Sequence, residues 1–117
     1  MKMSDRKRIE RIISTGKMLM EYVESECITE ELIHTNVKVQ WTVTTPLYNI
    51  GEHTYHISKE LQAAYPQIPW RQVAGLRHRL VHDYEDTDWS IISRTVFKAL
   101  PAFIEQLDGL LSEIPSD

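Results

Sequence analysis

The sequence predicts an all-α domain, an antiparallel bundle of four to five helices, and three observations lead there. Apolar residues recur at three- and four-residue spacing along most of the chain. Only four glycines occur among 117 residues, and no Gly/Ser-rich stretch divides them. The one segment that alternates as a strand would has no second strand to pair with, and a lone strand is not stable. The whole chain, 1–117, is expected to form one domain.

The first helix is expected to start after Ser4, a good N-cap, and to end near Ser25–Cys27. Its stripe is Ile9, Ile12, Ile13, Gly16, Leu19, Met20 and Val23. Thr29 then caps a new start, with Glu30 and Glu31 placed favourably in its first turn. The next segment can be read in two ways. Val37, Val39, Trp41 and Val43 alternate with polar residues, whereas Ile33, Val37, Trp41, Thr44, Tyr48, Gly51 and Tyr55 fit one helical face. With no partner strand the helix is preferred, kinked at Pro46 and running to about Ala64.

Tyr65 to Trp70 is punctuation: Pro66 stops one helix, and Pro69 suits the first turn of the next. Trp70, Val73, Ala74, Leu80, Val81 and Tyr84 then share a face, with Arg77 in the middle of it. Asp86 to Asp88 can cap the last helix. That helix has the cleanest periodicity, through Ile92, Val96, Ala99, Phe103, Leu107, Leu110 and Ile114. Pro101 should bend it, and the tail around Pro115 should fray.

Composition removes several classes of function. With 42% hydrophobic and 26% charged residues the chain resembles an ordinary globular domain. No apolar run approaches the roughly 18–20 residues of a membrane span, and the basic N-terminus lacks the apolar segment of a secretory signal. Cys27 is the only cysteine, so no internal disulfide can form, and a reducing, cytoplasmic setting is expected. The net charge of −4 has the wrong sign for a protein that binds nucleic acid over its whole surface.

Charge is nevertheless blocked along the chain. The basic N-terminus (Arg6, Lys7, Arg8, Arg11) and the acidic stretch Glu21–Glu31 read as solvated helix faces. Arg71, Arg77 and Arg79 form a block without an acid, on an apolar helix that also carries His78 and His82.

Arg77 has two readings. A charge in an apolar stripe is costly unless paired, so it can be a structural arginine bonded to a carboxylate such as Glu52. It can equally be a guanidinium held in a groove to grip phosphate. His82 can simply face the last carbonyls of its helix, or act as acid or base near neutral pH. His78 and His82 are four apart, a spacing that suits a metal pair, but no Glu follows His78 and no third ligand is apparent. Tyr84 reads most simply as a core or edge aromatic. No metal or other cofactor is expected, so phosphate chemistry here would have to run without metal. RNA cleavage can, because the 2′-hydroxyl is a built-in nucleophile that DNA lacks.

Arg-x4-His-x-Tyr, here Arg77, His82 and Tyr84, resembles the signature of the HepT-like branch of the HEPN superfamily. Flanking segments agree: Ile50-Gly51-Glu52, Ile68-Pro69-Trp70, Gly75-Leu76-Arg77, Leu80 through Tyr84, and Leu100-Pro101. The resemblance implies a HEPN-like helical bundle that forms a homodimer with two motifs facing one cleft. It also implies a metal-independent endoribonuclease toxin with catalytic Arg77 and His82. His78 follows the arginine, where asparagine is commoner, and Arg71 and Arg79 would support RNA binding. The implied partner is a minimal nucleotidyltransferase antitoxin that transfers AMP onto Tyr84. The alternative is a non-catalytic, nucleotide-binding subunit that partners a nucleotidyltransferase.

Overall fold

The computed structural model describes residues 3–82 and 86–116, with Val81 and His82 described by their backbone. All regular structure among them is helical. Helix α1 (Asp5–Ser25) begins where expected, with the Ser4 hydroxyl accepting from the Lys7 amide at 3.1 Å. It buries Ile9, Ile12, Ile13, Gly16 and Leu19. It ends in a Schellman turn, in which the Ile28 amide donates to the Val23 carbonyl at 2.9 Å and the Cys27 amide to Glu24 at 3.2 Å. That turn needs a left-handed residue, and Cys27 supplies it with φ 52°.

The long helix expected through the middle of the chain is three helices. α2 (Glu30–Thr35) starts at the Thr29 cap and stops at Asn36. Asn36 is extended, and its side chain accepts from the Val39 amide at 3.0 Å, capping α3 (Val37–Tyr55). An asparagine that bonds the following backbone competes with helix continuation. The second break comes at His56–Ser58, where Ser58 caps α4 (Lys59–Ala64) and is itself held by Asp5.

The buried face of α3 is also not the one expected. Val39, Val43, Leu47, Ile50, Gly51 and Thr54 face the core, while Val37, Trp41 and Tyr55 are exposed. The helix is apolar on two sides, and periodicity alone cannot say which is covered. Thr42, Thr44 and Thr54 each donate to the carbonyl four residues back at 2.7 Å, so these β-branched residues satisfy their hydroxyls within the helix.

Pro69 stands at the N-cap of α5 (Trp70–Ala74) rather than inside its first turn. Gly75 separates α5 from α6 (Leu76–His82), so the expected single helix is jointed. α7 (Trp89–Arg94) is capped by Asp88, as expected. A π-helical turn, Thr95–Ala99, then joins it to α8 (Leu100–Leu111). The widened turn lies just before Pro101, whose ring would crowd the carbonyl four residues earlier in a regular helix.

α1 runs antiparallel to α3: Arg8 meets His53, and Thr15 meets Asn49. It is antiparallel to α8 as well, with Arg6 near Leu111 and Gly16 against Ile104 and Leu100. The core is continuous through Ile12, Leu47, Ile50, Trp70, Leu100, Phe103 and Leu107. Beyond α8 the chain is held to α1 as far as Ile114, where Arg6 donates to the Leu111 and Ile114 carbonyls at 3.0 and 3.3 Å.

Candidate functional site

The site grows from the last two turns of α3 and its C-cap, His56. Tyr48, Glu52 and His56 are four residues apart and so share a face. The Tyr48 hydroxyl donates to Glu52 Oε2 at 3.2 Å. His56 Nε2 lies 3.0 Å from Glu52 Oε1. A carboxylate only accepts, so that nitrogen carries the proton. Arg77 Nε on α6 makes the third bond, to Oε2 at 3.2 Å.

Backbone contact brings Arg77 there. A Cβ on Gly51 would stand 2.8 Å from the Arg77 amide nitrogen and 3.2 Å from Leu76 Cβ. The missing side chain therefore lets α6 cross α3 directly beside Glu52. The Arg77 guanidinium carbon lies 4.2 Å from the Tyr55 ring centroid, and the Tyr55 ring meets His56 edge-on with centroids 5.2 Å apart. A carboxylate and an aromatic face thus hold one guanidinium on two sides. Its two terminal nitrogens donate to nothing among the described residues.

Arg77 is not the buried charge that the apolar stripe suggested. Its side chain is 36% exposed and that of Glu52 29%. A pair this accessible contributes about 1 kcal/mol or less, so it orients the arginine more than it stabilises the fold. Burial pushes the Glu52 carboxyl up, but Arg77 and the His56 and Tyr48 donors outweigh it and hold it below the ordinary 4.5.

The other expected site residues do not all gather here. Arg79 is exposed and lines a groove with Arg94 and Lys98, on the α7 side. Arg71 is exposed beside Gln62 and Pro66, at the α4–α5 connection. The three arginines of the basic block therefore face different surroundings within one chain. His78 is exposed on α6. The His82 backbone ends α6, while its side chain and Tyr84 lie outside the described residues. Among the described residues no three His, Cys, Asp or Glu side chains group as metal ligands would.

Sequence reasoning named Glu52 as a partner for Arg77 but assigned no role to Tyr55 or His56. The four-residue spacing of Tyr48, Glu52 and His56 was a signal for the carboxylate network. Nothing local could have announced that Tyr55 stacks on a residue from α6.

Residues 7–110 match the family model described as "Ribonuclease HepT-like". A protein of Thermococcus cleftensis named "Probable ribonuclease HepT" is 29% identical over 110 residues, covering 94% of this chain and 98% of that protein. One from Caldanaerobacter subterraneus subsp. tengcongensis is 28% identical over 105 residues, 90% of this chain and 92% of its own. One from Methanocaldococcus jannaschii is 30% identical over 106 residues, 91% of this chain and 86% of its own. The last two each bear the name "Putative RNase". No solved structure gives a significant match to this chain.

Proposed function

The chain belongs to the HepT-like ribonuclease family, and from that premise we propose that it is an endoribonuclease that cleaves RNA without metal through Arg77 and His82. The observation that carries this reading is the held guanidinium: Glu52 and Tyr55 fix its Nε and one face, and among the described residues nothing accepts from its terminal nitrogens, the atoms that this reading gives to phosphate oxygens. In the reaction the RNA 2′-oxygen attacks the adjacent phosphorus and the bond to the 5′-oxygen breaks. A 2′,3′-cyclic phosphate and a 5′-hydroxyl result. Arg77 stabilises the charge that builds on the phosphoryl oxygens, and His82 moves a proton from the 2′-oxygen or to the 5′-oxygen.

The biological setting we propose is a cytoplasmic toxin–antitoxin pair. Two copies of the chain face their motifs into one cleft, with His78, Arg71 and Arg79 as auxiliary RNA contacts. Pairing two chains doubles the local positive charge on a protein whose net charge is negative. The antitoxin is a minimal nucleotidyltransferase. The Tyr84 phenolate attacks the α-phosphorus of ATP, pyrophosphate leaves, and the attached AMP puts a negative phosphate where RNA phosphate would bind.

The test is cleavage of single-stranded RNA in EDTA by wild type and by His82→Ala, with DNA of the same sequence as control and intact mass to exclude adducts on Tyr84. Cleavage of RNA alone, lost in the variant, supports the proposal. Unmodified wild type that binds nucleotide but cleaves no RNA would favour a non-catalytic subunit of a nucleotidyltransferase.

A further inference from the structure

The α1–α3 groove lies beside the Arg77 site, on the adjacent side of the same helical turn. Its volume is 710 Å³, and its lining includes Arg11, Met18, Tyr22, Pro46, Asn49 and His53. Glu52 and His53 are consecutive on α3. Glu52 reaches Arg77 on one side, and His53 reaches α1 on the other, with Nδ1 3.2 Å from Arg8 Nη1. An arginine only donates, so His53 Nδ1 accepts and the ring is neutral. Burial, then the charges of Arg8 and Arg11, hold its pKa below the ordinary 6.5.

Three basic groups therefore meet at one end of an apolar groove. Neither Arg8 nor Arg11 is paired with a carboxylate among the described residues, whereas Arg6 reaches Glu10 and Lys17 reaches Asp108. Among the described residues, Arg8 and Arg11 beside the groove therefore lack the carboxylate partners that Arg6 and Lys17 have. An anion between Arg8, Arg11 and His53 would relieve the repulsion between the two arginines and could accept from the imidazole. Along the groove, Met18, Tyr22 and Pro46 offer apolar surface, with Thr15 and Asn49 as polar edges. A phosphate tied to a base, in an unpaired strand, has that combination of charge and flat apolar surface.

We propose that the α1–α3 groove is a subsite for a nucleotide beyond the two that the cleaved bond joins in single-stranded RNA, with its phosphate on Arg8, Arg11 and His53 and its base against Met18, Tyr22 and Pro46. This rests on the ribonuclease reading and extends it to substrate length. The subsite lies outside the Arg77–Glu52 contact, so it acts only on RNA that reaches beyond the scissile phosphate.

The experiment compares a dinucleotide with an oligonucleotide of about six nucleotides. Both are cleaved by wild type, by Arg8→Ala/Arg11→Ala and by Arg8→Lys/Arg11→Lys, with thermal melts to establish folding. The alanine variant is expected to lose about tenfold in kcat/KM on the longer RNA, with dinucleotide cleavage unchanged. Its log–log salt slope should fall by about 0.7, the loss of one single-strand phosphate contact. The lysine variant should keep most of that slope. Unchanged cleavage of the longer RNA by the alanine variant would overturn the subsite and leave the ribonuclease standing. Equal loss on both substrates in a folded variant would also overturn it, since the arginines would then serve the cleaved phosphate itself. Wild type that cleaves neither RNA would overturn the ribonuclease reading and the subsite with it.

Discussion

Gly51 and Arg77 meet backbone to backbone: a Cβ on Gly51 would stand 2.8 Å from the Arg77 amide nitrogen. The contacts of Arg77 with Glu52 and Tyr55 depend on that approach. Glu52 is the next residue on α3, and its carboxylate reaches Arg77 Nε at 3.2 Å only because the two helices cross this closely.

Gly51→Ala is therefore expected to be costly. The obstacle is backbone, which cannot rotate away, so overpacking should cost about 1–3 kcal/mol and push Arg77 off Glu52. Urea unfolding measures the first effect and RNA cleavage the second. Gly109→Ala on α8 is the control: nothing lies within 4 Å of its Cβ position, and it should be neutral or stabilising by up to about 1 kcal/mol. Equal effects at the two positions would refute the account of the crossing.

Glu52→Ala should lower kcat/KM for RNA by about ten- to a hundredfold while changing stability by about 1 kcal/mol or less, because about a third of each partner is open to solvent. Glu52→Gln should fall between, since it keeps an acceptor for Arg77 Nε but loses the charge. Arg77→Lys keeps the charge and should still be inactive, because an ammonium cannot bond the carboxylate and present a planar fork at once. A fully active lysine variant would show that charge alone suffices.

Acid should weaken the fold in two stages. His53 has its folded pKa below 6.5, so the unfolded chain binds its proton more readily. Its contribution is complete above 6.5 and is lost as pH falls through the folded value. Glu52, held below 4.5, behaves with the same sign at lower pH: its contribution is present above 4.5 and disappears as the carboxylate protonates. Melting temperatures followed from pH 8 to pH 3 should decline in both windows. The upper decline should shrink in His53→Gln, and the lower one in Glu52→Gln.

Cys27 carries a strain that glycine would remove. It is exposed, with φ 52°, at the left-handed position of the Schellman turn that ends α1. A side chain there costs about 1–2 kcal/mol, partly offset by the greater freedom of an unfolded glycine. Cys27→Gly should raise stability by about 0.5–1 kcal/mol in denaturant titration. A loss would mean that the cysteine side chain has a contact outweighing the strain.

The extent of α1 was legible from the sequence because its signals are local. Ser4 caps its start, and Ile9, Ile12, Ile13, Gly16 and Leu19 repeat at the period of a single buried face. The Thr29 and Asp88 caps were legible for the same reason. The pairing of Arg77 with Glu52 was one of two readings the sequence left open, and it is made by a part-exposed guanidinium rather than a buried one. The centre of the chain was harder. Asn36 and Ser58 break one periodic run into three helices through side-chain caps that compete with helix continuation.

What only the tertiary structure decided is which surfaces meet. α3 carries two apolar faces, and the packing of α1, α5 and α6 covers Val43, Leu47 and Ile50 while leaving Trp41 and Tyr55 outside. That choice frees Tyr55 to stack on Arg77 and turns His53 toward Arg8. The basic N-terminus read as an ordinary solvated face, and it becomes a candidate phosphate contact only because a histidine 45 residues away arrives beside it. Hydrophobic periodicity records that a face is to be buried, but burial is non-directional. The partner is set by shape and close approach, and here a missing side chain at Gly51 decides it.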